Sequence, residues 1–100
     1  MIQRVVLIRL HPQHRNDADR RQIAEHAREV LGPIPLLSEL SVAPAADART
    51  RGQWDLVVLA RLADFEAAES YRVDRTHRAF ADLYLKPLAE TVRVFHFEVE

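Results

Sequence analysis

Hydrophobic and polar positions switch between a two-residue and a helical period along the chain. From Ile2 to Leu10 the run IQRVVLIRL is β-branched and apolar at Val5, Val6, Leu7 and Ile8, which predicts a strand with apolar side chains on both faces. His11-Pro12 ends it, because proline has no N–H for a ladder. Asn16 or Asp17 can cap the helix that follows, where Ile23, Ala27, Val30 and Leu31 form one apolar stripe. Arg20, Arg21, Glu25, Arg28 and Glu29 are expected on its wet side, and His26 at the surface or boundary. Gly32-Pro33 supplies the stop.

A second strand is predicted over Leu36 to Val42. Leu36, Leu40 and Val42 share one face, and Glu39 and Ser41 the other, as at a sheet edge. Pro44 to Gly52 reads as a polar loop. Trp54 to Leu62 is again a strand with two apolar faces. Asp64 can cap a helix through Tyr71, and Asp74 another from Arg75 towards Lys86 or Leu88. Val92 to Val99 completes the pattern.

The order β-α-β-β-α-α-β predicts an α+β, ferredoxin-like arrangement: an antiparallel sheet with helices on one face, as a single domain over residues 1–100. A sheet covered on one side has a polar second face if it stands alone. Strands one, three and four are apolar on both faces, so a two-fold homodimer burying the second face is expected.

Composition narrows the function classes. With 14 Lys and Arg against 15 Asp and Glu, the net charge of −1 favours neither nucleic acid nor an anionic membrane surface as partner. There is no cysteine, which excludes disulfides, thiolate metal sites and thiol nucleophiles. No apolar run approaches a membrane span, and Arg4 and Arg9 interrupt the N-terminal stretch in a way that fits a strand and not a signal peptide; the expected location is cytoplasmic. No Gly-rich phosphate loop, HExxH or GxSxG occurs. His11 and His14 alone make no metal site, and neither a metal nor another cofactor is expected.

Among the residues that could carry chemistry, His77 comes first. At 100° per residue it shares a sector with Ala81, Tyr84 and Leu88, with Phe80 beside it and Arg78, Asp82 and Lys86 on the wet side. Desolvation there favours a neutral imidazole, able to accept a proton; alternatively the ring simply bonds a backbone carbonyl or Tyr71. Tyr71 ends the preceding helix and could reach the same place, as an orienting phenol or an ordinary half-buried aromatic. Arg4 shares a strand face with Ile2, Val6 and Ile8. It holds an anionic group of a ligand, forms a structural salt bridge with Asp55, Asp74 or a C-terminal Glu, or snorkels out at the end of the strand. His96, in phase with Val92 and Val94, is expected to be structural.

The run WDLVVLARLADFEAAESYRVDRTHRAF, followed by KPLAETVRVFHFE, resembles the stress-responsive A/B-barrel domain family of the dimeric α+β-barrel superfamily. Trp54, Asp55, Asp64, Tyr71, His77, Phe80, Lys86, Pro87 and Leu88 carry the likeness, and MIQRVVLIRL resembles the family's first strand. The resemblance implies a homodimer with a small cavity between helices and sheet in each subunit. It also implies, for those members that are cyclases or isomerases of aromatic or polyketide-like molecules, acid–base work without a metal at the positions of His77 and Tyr71. Two positions depart from the pattern. Arg4 stands where a histidine is frequent, and Asp74-Arg75 where His-Pro is frequent; a guanidinium stays protonated near neutral pH and cannot be a base.

The resulting expectation is a small organic ligand in a cavity walled by Val6, Ile8, Leu56, Val58, Phe80, Ala81 and Tyr84. His77 would be the general base and Tyr71 the phenol of a cofactor-independent cyclase, isomerase or lyase. The alternatives are a non-catalytic stress-response or ligand-binding dimer and a cofactor-free monooxygenase-like enzyme.

Overall fold

Four strands make one antiparallel sheet in the order β2-β3-β1-β4, with β1 at Ile2–Leu10, β2 at Glu39–Pro44, β3 at Leu56–Leu62 and β4 at Ala89–Glu98. This computed structural model describes all 100 residues. The helices are α1 (Asp17–Leu31), a single turn α2 (Ala48–Arg51), α3 (Phe65–Arg72) and α4 (Arg75–Ala79). The last runs on as a wider, π-helical segment over Phe80–Leu85. The fold is α+β and ferredoxin-like.

Each helix begins on an Asn or Asp that satisfies an otherwise unpaired backbone N–H. Asn16 accepts from Asp19, Asp47 from Thr50 and Asp64 from Ala67, each at 2.8 Å, and Asp74 from His77 at 3.0 Å. A cap of this kind is worth about 1 kcal/mol. Asp47 therefore nucleates α2 inside the segment whose composition predicts only a polar loop.

Alternation sorts the sheet into two faces. Ile2, Val6, Ile8 and Leu10 of β1 and Leu56, Val58 and Leu62 of β3 are buried under the helices, with Val42 of β2. Val42, Val58, Val6 and Val94 form one row across all four strands; Leu40, Ala60, Arg4 and His96 form the next but one towards the start of β1. The opposite face carries Val5, Leu7, Val57 and Leu59, all half-buried, and Phe95 and Phe97, both exposed.

Four expectations about elements are revised. β4 runs over Ala89–Glu98 and not Val92 to Val99, because its start pairs with the end of β1 through Arg9 and Thr91 and, past a bulge, Leu10 and Ala89. β2 starts at Glu39, because Ile34 to Leu37 is taken up by a turn in which Leu37 N–H donates to the Ile34 carbonyl at 3.1 Å. β3 starts at Leu56, because the Trp54 N–H is bound by the Thr50 carbonyl of the α2 turn at 2.8 Å. Arg20 faces inward, not to water: its Nε donates to Asp55 at 2.8 Å, and Asp55 is fully buried.

Candidate active site

The site is built on the row next to the sheet's end. Ala60, a residue with almost no side chain, sits beside Arg4 on β1, and the long Arg4 side chain lies in the layer between sheet and helices. Tyr71 in the last turn of α3 and His77 in the first turn of α4 project into the same layer. The loop between the two helices is short, and its Asp74 caps α4. Arg4, Tyr71 and His77 are all buried.

The rings of Tyr71 and His77 stack with centroids 4.3 Å apart and planes tilted by 34°. The Arg4 guanidinium carbon lies 5.5 Å from the Tyr71 ring centre, within range of a cation–π contact. His77 Nδ1 lies 3.2 Å from the Arg72 carbonyl oxygen. A carbonyl can only accept, so Nδ1 carries the proton and Nε2 keeps its lone pair. The same reasoning applies to His96. Arg4 Nη1 donates to His96 Nε2 at 3.3 Å, and this fixes the His96 proton on Nδ1.

Electrostatics set the protonation states. Burial, followed by the charge of Arg4, holds His77 below the ordinary imidazole range, against the opposing hydrogen bond to Arg72 and the charge of Asp74. The ring is a neutral base at pH 7. Burial pushes the Tyr71 hydroxyl up to about 12, although Arg4 pulls it down, so it serves as a donor and not as a phenolate. Burial also lowers Arg4, and burial with Arg4 lowers His96. Arg4 thus depresses both histidines, and its removal has a definite sign. In Arg4→Met, both imidazoles are expected to titrate at higher pH than in the wild type, followed by ring-proton NMR. Unmoved midpoints would contradict the placement of the guanidinium between them.

These groups open on a cavity of about 160 Å³. Its floor is Val6, Ile8 and Val58, its roof Leu31, Phe80, Ala81 and Leu85, and its rim Arg78, Val92 and Val94. Val92 and Val94 are 41% and 43% exposed, so the cavity opens over β4, where no helix covers the sheet. Of the expected wall residues, Val6, Ile8, Val58, Phe80 and Ala81 line this cavity. Leu56 and Tyr84 do not. Leu56 packs in the core. Tyr84 is displaced by the π-helical segment, marked by the bond from Lys86 N–H to the Ala81 carbonyl five residues back at 3.0 Å. A wider turn advances each residue by a smaller angle than 100°. Leu85 therefore takes the place below Ala81, and Tyr84 stacks on His26 of α1 at 4.2 Å.

The proposed salt-bridge partners of Arg4 are occupied elsewhere or out of reach. Asp55 binds Arg20, and Arg15 at 3.2 Å; Asp74 caps α4; no C-terminal Glu pairs with Arg4. Arg78, Leu31, Leu85, Val92 and Val94 are the wall residues that sequence reasoning missed. Val92 and Val94 could have been found, because they alternate in phase with His96. Nowhere in the chain do three or more His, Asp or Glu side chains gather as a metal site, and no helix is long and apolar enough to cross a membrane.

Fold and site together define a ferredoxin-like α+β protein with a small apolar cavity that holds an imidazole, a phenol and a guanidinium. The chain belongs to the stress responsive A/B barrel domain family, whose profile matches residues 2–99. Among solved structures it is similar to a family member with a ferredoxin-like fold from Mesorhizobium loti, at 17% identity over 99% of this chain and 96% of that one, with a TM-score of 0.80. It is similar to a dimeric ferredoxin-like protein of unknown function from Thermobifida fusca, at 20% identity over 98% and 90%, with a TM-score of 0.79. It is also similar to a hydroxynitrile lyase from Passiflora edulis, at 12% identity over 99% and 93%, with a TM-score of 0.78. At these identities the likeness establishes the fold. No curated protein sequence matches the chain.

Proposed function

We propose that the chain is a homodimeric enzyme acting on a small organic molecule without a cofactor, as a lyase, isomerase or cyclase. His77 takes a proton from an acidic carbon or hydroxyl, and Tyr71 orients the substrate or donates to the oxygen on which charge develops. The observation that carries this reading is the state of His77. Its Nδ1–H is held by the Arg72 carbonyl, its Nε2 has no protein partner, and burial keeps it neutral beside a cavity. The hydroxynitrile lyase among the structural neighbours, a lyase on the same fold, supports this reading. The dimeric neighbour and the apolar outer face of the sheet support the homodimer, with the two faces packed against each other.

A panel of small carbon acids (aryl ketones, β-keto acids and cyanohydrins) incubated in D₂O and followed by proton NMR tests the chemistry. Deuterium incorporation or product formation is expected with the wild type and is expected to fall by about 10²–10⁴ in His77→Gln, the usual worth of a general base. Tyr71→Phe is expected to lose less, since it keeps the stacked ring. Turnover that survives His77→Gln unchanged overturns the catalytic assignment. Binding without any turnover would leave a ligand-carrying dimer.

A further inference from the structure

We infer that the cavity takes its ligand as an anion: a compact monocarboxylate of about one ring, with the carboxylate on the Arg4 guanidinium. This rests on the small-molecule reading of the same cavity and adds the charge and size of the ligand.

The first observation is an unpaired buried cation. Arg4 is 7% exposed, and a guanidinium cannot shed its proton to relieve burial near neutral pH. Its five N–H donors have one partner in the protein, the neutral His96 ring, and the Tyr71 face offers only weak compensation. No carboxylate forms an ion pair with it. Its nearest acidic neighbour in electrostatic effect, Glu69, is held by Arg72 at 3.4 Å. A buried charge without a counter-charge is a costly arrangement, and an arriving carboxylate removes that cost.

The second observation is independent of Arg4. The cavity wall contains a second arginine, Arg78, and no Asp or Glu at all. Arg78 pairs with Asp82 at 3.2 Å, so its charge is offset, and Asp74, the carboxylate whose charge reaches Tyr71 and His77, is held as the cap of α4 outside the cavity lining. A lining with no carboxylate and one unpaired guanidinium favours an anion over a cation. No fully enclosed polar side-chain atom in the protein lacks a partner, so the free donors of Arg4 border open space where a ligand can reach them.

Size and polarity give the rest of the ligand. A cavity near 150 Å³ with apolar walls accepts a benzene ring, and here about 160 Å³ is bounded mainly by aliphatic and aromatic side chains. One ring fills the apolar part, with its carboxylate directed to Arg4.

The test is equilibrium binding of benzoate and of its neutral isostere benzamide at pH 7.5, by calorimetry or by chemical-shift titration. The wild type is expected to prefer benzoate by about tenfold or more, the range of charge-assisted hydrogen bonds. That preference is expected to vanish in Arg4→Met and to persist in part in Arg4→Lys, which keeps the charge but not the fork. Equal or tighter binding of benzamide by the wild type overturns the inference, whether or not either variant folds. A preference for benzoate that survives in folded Arg4→Met also overturns it. Acetate binding as tightly as benzoate overturns the single-ring ligand. Benzoate binding through Arg4 with no turnover of any carbon acid upholds the anion site while the acid–base reading fails. Absence of binding by either ring overturns the anion inference alone, and turnover of the carbon-acid panel decides the acid–base reading separately.

Discussion

Asp55→Ala is expected to destabilise the fold by about 3–5 kcal/mol, the usual cost of removing one partner from a buried ion pair. Asp55 is 0% exposed and accepts three donors: the Leu10 N–H at 2.8 Å, Arg20 Nε at 2.8 Å and Arg15 Nε at 3.2 Å. It ties the end of β1 and the start of β3 to the first turns of α1. The alanine leaves the Leu10 N–H with no acceptor, and the nearly as buried Arg20 guanidinium with only the exposed Asp17 carboxylate, at 3.1 Å. A domain of this size has a total stability of about 5–15 kcal/mol, so the loss is a large share of it. The melting temperature is expected to fall by roughly 12 °C or more. Asp55→Leu combined with Arg20→Met is expected to recover part of the loss, because an apolar pair avoids the stranded charge. A loss below about 1 kcal/mol in the single variant would mean that water replaces the carboxylate, in conflict with complete burial.

Asp55 also marks a boundary of what a sequence conveys. The strands were legible because alternation and β-branching act locally, and the helix starts because an Asx side chain caps a turn three residues away. Thus Asp64 and Asp74 were found, Asn16 proved the cap of the two candidates Asn16 and Asp17, and the Ile2–Leu10 limits hold. Arg20 misleads because its polarity matches Arg21 and Glu25 on the exposed side of α1, while its partner lies 35 positions further on. No local pattern encodes that pairing. Tyr84 misleads for a different reason. A straight α-helical projection puts it with His77 and Ala81, and the change of pitch after Phe80 cannot be read from residue types. Within the candidate site, His77 and Tyr71 came from helix position and family likeness, and Arg4 from strand phase. What the sequence left open was the choice between a paired and an unpaired Arg4. That depends on where every acidic side chain ends up, and in the structure each of the suggested acids is committed elsewhere or does not pair with it.

Leu59→Arg is expected to convert the proposed homodimer to a folded monomer. Leu59 pairs across the sheet with Ser41 and Val5, and Val5 with Phe95, so the four make the middle row of the outer face, apolar but for Ser41 at the edge strand. Polar groups border this apolar centre at both ends: Gln3, Arg61 and Glu39 on one side, and on the other Arg93 opposite Leu7, then Arg9 and Glu90, which are joined at 2.9 Å. An apolar centre with a polar rim is the anatomy of a stable interface. Leu59 is only half-buried in the subunit, so an arginine there can lie along the sheet and reach water when the subunit is alone. In the dimer the two-fold axis brings in two such charges, and neither faces an acid in the middle row. Burying them unpaired costs several kcal/mol, so the dissociation constant is expected to rise by about 10³-fold or more. Sedimentation velocity at micromolar concentration reads the mass, and far-UV circular dichroism checks that the fold persists. A variant that sediments as the wild-type dimer would place the interface on another surface. A wild type that is monomeric at the same concentration would leave the outer face of the sheet in water and remove the dimer from the proposal.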